Sequence, residues 1–228
     1  MESKFYITIG RQLGAGGLEI AKKLSEIFNI PVYDKELINI ASKESGLCCE
    51  VFEHADETPR NSSGGLFGLL FSGVAYNNLG NKSVLDEAEL FRIQSEVIRN
   101  IASKHSAIFV GRCADYILRD KPNCMNVFIT ANDTDRVARL RMSKKMDGFK
   151  NFSDRQLIEY MHKADKKRAE YYNYYTYKNW GHSSSYNLCL DSSFISTDKC
   201  VEIIANHVKT ILPNNIIPNC RKIQENVV

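Results

Sequence analysis

The stretch Gly14-Ala15-Gly16-Gly17 lies between an apolar, β-branched run at Phe5 to Ile9 and a segment with helical periodicity from Leu18 to Phe28. Glycine-rich backbone between a strand and a helix can turn several N–H groups toward one point. The positive end of the helix dipole then adds to them, and the result is a cradle for an anion. The standard phosphate loop, G-x-x-x-x-G-K-[ST], adds a lysine for the β- and γ-phosphates and a hydroxyl for Mg²⁺. In this chain Gly17 stands where the lysine would be. Two readings follow from the pattern itself: a phosphate cradle, or a tight strand-to-helix turn with no ligand.

Other charged residues sit at positions that chemistry could use. Arg112 follows Gly111 directly after the apolar run Ala107 to Val110, at the carboxyl end of a strand, where open α/β sheets bind ligands. The alternative for Arg112 is a surface ion pair. Arg136 and Arg139 share a helix face at i,i+3, whereas Arg141 points elsewhere. Asp165 and Arg168 have the same spacing, which suits an ordinary helix-surface pair equally well. Asp34 ends a short strand and can cap the helix that follows. Five tyrosines between Tyr171 and Tyr177, with Trp180 beyond, fit packing against a sheet edge better than base stacking. The five histidines are scattered, and neither a metal cage nor a Ser-His-Asp set is readable.

These residues need a scaffold, and the periodicity supplies one. Strands are expected at Phe5–Ile9, Pro31–Tyr33, Ala107–Val110, Asn126–Thr130 and Tyr186–Leu190. Helices are expected at 18–28, from Asp34 to about Ser42, at 84–103, a short one through Leu118, from Thr134 to about Met146, from Ser153 to roughly Tyr172, and at 197–211. Alternating strand and helix predicts an α/β fold around a parallel sheet of five strands. The rhythm breaks between 46 and 82, where glycine, proline and asparagine surround an apolar patch at 64–76. That patch is too short to span a bilayer and is a candidate oligomer contact. The expected organisation is one domain over 1–211 with a mobile insertion at 46–82, and a loose tail at 212–228.

Composition sets the outer limits. The chain has 228 residues, 43% hydrophobic and 25% charged, which argues against wholesale disorder. Thirty basic residues against 27 acidic ones leave +3, too balanced to argue for nucleic acid or membrane as a partner. Seven cysteines without a C-x-x-C pair, and an N-terminus without a secretory apolar region, fit a reducing cytoplasm.

Several segments together resemble the cytidylate kinase-like family, within the P-loop nucleoside-monophosphate kinases. They are Ile7-Thr8-Ile9 with the loop through Gly17, then Tyr33 to Ile38, then Val110 to Leu118, then Asp165 to Ala169, and finally Tyr171 to Ser193. The resemblance implies a three-layer α/β/α P-loop kinase fold with an acceptor-binding insertion and a short lid at about 141–165. It implies transfer of the γ-phosphoryl group of ATP, with Mg²⁺, to a nucleoside monophosphate such as CMP or dCMP. Gly14, Ala15, Gly16, Gly17, Leu18 and Glu19 would hold the phosphates of ATP. Arg112, Asp34 and Asp165 would bind the acceptor, and Arg136, Arg139 and Arg168 would meet the transferring phosphate.

The chain also departs from that family. Gly17 removes the lysine, for which Arg11 could substitute if its side chain folds over the loop. Glu19 replaces the Mg²⁺-binding hydroxyl, and Cys113 replaces an acid after Gly111-Arg112. Two alternatives therefore stand beside the nucleotide kinase: a binding module without turnover, and a kinase acting on a non-nucleotide small molecule.

Overall fold

Strand β1 (Tyr6–Arg11) is completely buried over its first four residues, as its unbroken apolar and β-branched character requires of a central parallel strand. The computed structural model describes residues 4–44, 82–143 and 151–211. The remaining strands are β2 (Val32–Tyr33), β3 (Ala107–Val110), β4 (Cys124–Thr130) and β5 (Leu188–Asp191). All pairings are parallel, in the order β2-β3-β1-β4-β5. The α/β architecture with five parallel strands is the one expected.

The strand order reverses direction beside β1. The chain proceeds from β1 to β2 and β3 on one side, then returns to β4 and β5 on the other. Such a switch point opens a crevice at the carboxyl ends of the strands. Arg11 ends β1, and Arg112 stands two residues beyond β3.

Seven helices are found among the described residues: α1 (Gly17–Phe28), α2 (Lys35–Glu44), α3 (Lys82–Lys104), α4 (Ala114–Ile117), α5 (Asp133–Met142), α6 (Asp154–Thr176) and α7 (Thr197–Ile211). Alternation along the strands decides which residues face which layer. Ile7, Ile9, Ile108, Val110, Val127 and Ile129 form one core with Ile20, Leu24 and Phe28 of α1 and Cys200, Ile204 and Val208 of α7. On the opposite face, Phe128 packs edge-on to Trp180 at 5.0 Å and beside Tyr186 at 5.0 Å. Tyr172 of α6 is buried there and donates to the Asp115 carboxylate of α4 at 2.6 Å.

Element ends moved by a few residues. The basic helix α5 stops at Met142, and α6 runs on to Thr176. Ser153 and Gln156 form a reciprocal cap at the start of α6, so much of the expected lid at 141–165 is regular helix. Leu157 and Met161 of that helix pack on Val137 and Leu140 of α5. The expected insertion at 46–82, its apolar patch at 64–76 and the tail at 212–228 lie almost wholly outside the described residues.

The chain divides into two compact units, residues 1–35 with 101–228 and residues 36–100. In the second, the buried Gln94 side chain of α3 donates to Asn39 of α2 at 2.8 Å. Among the described residues no helix is long and apolar enough to cross a membrane.

The tyrosine-rich end of α6 is only partly core. Tyr172 is 5% exposed, whereas Tyr174 and Tyr177 are 67% and 91% exposed. Burial pushes the Asp115 carboxyl upward against the pull of the Tyr172 hydroxyl and Lys178. Above the ordinary aspartate range, the folded chain therefore binds a proton at Asp115 that the unfolded chain has released. Stability contributed by this group falls as pH rises through that window. Asp115→Asn should flatten that part of the stability–pH profile, measured by denaturant unfolding from pH 4 upward. An unchanged slope would show that Asp115 titrates normally.

Candidate functional site

The loop between β1 and α1 is shaped by residues that grip its backbone from behind. Asp165 of α6 accepts the Leu13 amide at 2.8 Å, and Arg136 Nε donates to the Leu13 carbonyl at 2.7 Å. Arg139 donates to the Gly14 carbonyl at 3.4 Å, and the Ser192 hydroxyl donates to the Ala15 carbonyl at 2.9 Å. Arg139 is held in turn by the Ser192 carbonyl at 2.6 Å. Gln12 is fixed by the Ala131 amide at 3.2 Å and by the Thr130 hydroxyl.

These contacts orient the peptide planes. In a trans peptide the carbonyl of one residue and the amide of the next point in opposite directions. Carbonyls of Leu13 and Ala15 drawn toward Arg136 and Ser192 leave the amides of Gly14 and Gly16 aimed the opposite way. Ala15 N–H closes a turn onto the Gln12 carbonyl at 3.3 Å. The amides of Gly14, Gly16, Gly17 and Leu18 meet no acceptor among the described residues. Gly14 and Gly16 both have φ of 82°, and a methyl on Gly14 would sit 2.8 Å from the Arg136 carbonyl. That conformation and that space favour glycine. Four open amides at a helix N-terminus form a cradle that fits an anion such as phosphate.

Arg136 and Arg139 were expected to face the transferring phosphate. Arg136 is 2% exposed, and its three nitrogens go to the Leu13 carbonyl, Asp133 and Asp165. Both arginines thus shape the loop, and neither is an open cation aimed into the crevice. Asp165, expected at the acceptor, anchors Arg136; it accepts from Leu13, Arg136 and Arg168 together. Burial pushes its carboxyl up, while the Leu13 amide and the two guanidiniums pull it down. An acceptor of three such donors must be the anion.

Three other arginines form a second group. Arg168 donates to Asp165 at 3.2 Å and to the Arg11 carbonyl at 3.4 Å. Burial lowers its pKa, and Arg136 and Arg112 lower it further. Arg112 lies in a run of three left-handed residues, Gly111, Arg112 and Cys113, with φ of 80°, 56° and 55°. Two non-glycine residues in that region store strain of about 1–3 kcal/mol each. Strain of this kind is concentrated at binding sites, and here it turns Arg112 over the Tyr171 ring at 5.5 Å. Its Nε is buried with no hydrogen-bond partner. Arg11 is pushed down to about 9 by burial, then by Arg168 and Arg112, against the pull of Asp34 and Asp165. At neutral pH it keeps its charge. Asp34, just after β2, and Asp165 are the carboxylates that partly offset Arg11.

The rest of the expected set is less engaged. The Glu19 carboxylate pairs with Lys23 at 2.9 Å and accepts from Thr197 at 3.1 Å, so it is turned toward α7. Leu18 packs against the main core and contributes only its backbone. Burial pushes the Cys113 thiol up to about 12, which makes it a neutral packing group. No group of three or more potential metal ligands is found among the described residues. The pattern at Gly14 to Gly17 announced the loop in the sequence, but nothing announced Ser192. A lone serine after a strand carries no spacing signal.

Buried and exposed arginines make opposite predictions. Asp165→Ala leaves Arg136 buried without its anion and should destabilise the protein by about 3–5 kcal/mol. Arg141→Ala breaks an exposed pair with Asp154 and should cost less than about 1 kcal/mol. Urea unfolding of both variants checks this, and equal effects would contradict the assignment.

The fold is shared with known structures. An uncharacterized protein from Eubacterium ventriosum superposes with a TM-score of 0.65 at 26% identity, over 91% of this chain and 99% of that one. Shikimate kinase from Bacteroides thetaiotaomicron gives 0.51 at 15% identity, over 90% and 98%. Shikimate kinase from Acinetobacter baumannii in complex with shikimate gives 0.50 at 11% identity, over 92% and 95%. At that identity the two kinases show the P-loop kinase fold and nothing of the substrate. No curated protein matches the sequence. A profile of the cytidylate kinase-like family, however, matches residues 6–194, from the first residue of β1 to just past β5, and the chain belongs to that family.

Proposed function

We propose that the protein transfers the γ-phosphoryl group of ATP to a nucleoside monophosphate, with CMP or dCMP as the first acceptors to test. The observation that carries this reading is the convergence of Arg11, Arg112 and Arg168 beside the open amides of the glycine loop. Three guanidiniums in mutual repulsion, with one Nε buried and unpaired, form a site that an anion of high charge would neutralise.

Phosphoryl transfer suits such a site because the protein has little covalent work to do. A phosphate oxygen of the acceptor forms a bond to the γ-phosphorus, and the bond to the β,γ-bridging oxygen breaks. Its electron pair stays on the departing ADP. The acceptor oxygen is already ionised, so no general base is needed. In this reading the amides of Gly14, Gly16, Gly17 and Leu18 hold the donor phosphates, and Arg112 and Asp34 receive the acceptor. Arg168 spans the two. Arg136, Arg139 and Asp165 keep the loop in its binding shape. Mg²⁺, when bound, would neutralise charge on the phosphates, which with water supply most of its ligands because Glu19 is engaged elsewhere.

A binding module without turnover is the second reading, and Gly17 favours it because the usual lysine is missing. Incubation with Mg-ATP and a panel of nucleoside monophosphates and small hydroxylated acceptors, with products resolved by chromatography, separates the possibilities. New CDP from CMP is the expected result. Product from a hydroxylated acceptor alone would move the substrate away from nucleotides. No product from any acceptor, together with thermal stabilisation by ATP, would overturn the kinase reading in favour of the module.

A further inference from the structure

The position of the missing lysine is filled from another direction. A methyl on Gly17 would lie 2.8 Å from Arg11 Cβ and 2.9 Å from Arg11 Cγ. A methyl on Gly111, where φ is 80°, would collide with Arg11 Nη1. The Arg11 side chain therefore leaves the end of β1, crosses the first turn of α1 through the space that Gly17 leaves, and ends against the turn after β3. Two glycines far apart in sequence make room for one side chain.

Among the described residues, the head of that side chain has no hydrogen-bonded or ion-paired partner: no carboxylate forms an ion pair with Arg11, and no group accepts a hydrogen bond from its guanidinium. Its neighbours include Arg168 and Arg112, both cationic, and Asp34 and Asp165 only partly offset them. A partly buried cation held this way is costly in the free protein. A phosphate chain bound at the adjacent amides would compensate it.

We propose that Arg11 is the phosphate-chain cation of this protein, standing in for the P-loop lysine, and that Gly17 and Gly111 are glycines because its path requires them. The inference rests on the phosphate-binding reading above and names the residue that replaces the lost one. It also reverses the meaning of Gly17. A lysine there would collide with Arg11, so the glycine accompanies a relocated cation and is not a sign of decay.

Affinities for Mg-ATP and for inorganic tripolyphosphate test this, read by calorimetry beside ligand-free melting temperatures. Arg11→Met should fold and melt no lower than wild type, since it removes an uncompensated charge, while both affinities fall roughly 10- to 100-fold. Arg11→Lys should retain affinity to within a few-fold of wild type. Gly17→Ala should weaken binding in the same direction by displacing the Arg11 stem. Arg11→Gly with Gly17→Lys should bind more tightly than Arg11→Gly alone, because removing both Cβ and Cγ at position 11 gives the lysine room. Wild-type affinity in Arg11→Met, a lower melting temperature or failure to fold in that variant, or no gain in the double variant would each overturn the proposal. Absence of binding by the wild-type protein would instead remove the phosphate-binding reading itself.

Discussion

A peptide group cannot point its carbonyl and its amide in the same direction, and the site depends on that constraint. Asp165, Arg136, Arg139 and Ser192 never need to touch a ligand to matter. Asp165 takes the Leu13 amide while Arg136, Arg139 and Ser192 take the Leu13, Gly14 and Ala15 carbonyls, and together they fix which way the remaining amides face. Leu13 is held at both its N–H and its C=O, which belong to successive peptide groups, by one buried ion pair between α5 and α6. The packing of those two helices through Leu140 and Leu157 is thereby linked to the shape of a loop at the end of β1. Glycine at 14 follows, because a side chain there would meet the Arg136 backbone.

The arginines divide into two groups with different chemistry. Arg136 and Arg139 are saturated by loop carbonyls and carboxylates, as buried cations must be. Arg11, Arg112 and Arg168 lie close enough to repel one another and are only partly offset by acids. A protein keeps such repulsion where a ligand relieves it. The strained run at Gly111 to Cys113 belongs to the same arrangement, since it turns Arg112 to the ring of Tyr171 and opens space for Arg11.

Much of this was legible in the sequence, for identifiable reasons. Apolar runs bounded by glycine marked the strands, and glycine between a strand and a helix marked the loop. The place of Arg112 just past a parallel strand was legible, but its stacking on Tyr171 was not. Arg136 and Arg139 were found as a pair by their spacing, but periodicity names a shared face and not the partner it meets. Arg136 turns toward the back of the loop to meet Asp165 on another helix, and Arg139 to meet Ser192 after β5. The path of Arg11 depends on Gly111, one hundred residues away in the chain. The tyrosines after Tyr171 divided between core, ring contact and solvent for the same reason. A run of one residue type on a helix end says nothing of which turn meets the sheet.

A loop that holds phosphate as proposed would present particular amides to it and withhold others. Amide chemical shifts during a titration with Mg-ATP address each N–H separately. Gly14, Gly16, Gly17 and Leu18 should move most, while Leu13 and Ala15, already bonded to Asp165 and Gln12, should move least. Saturable binding that leaves the first four unmoved, or that shifts Leu13 and Ala15 instead, would contradict the account.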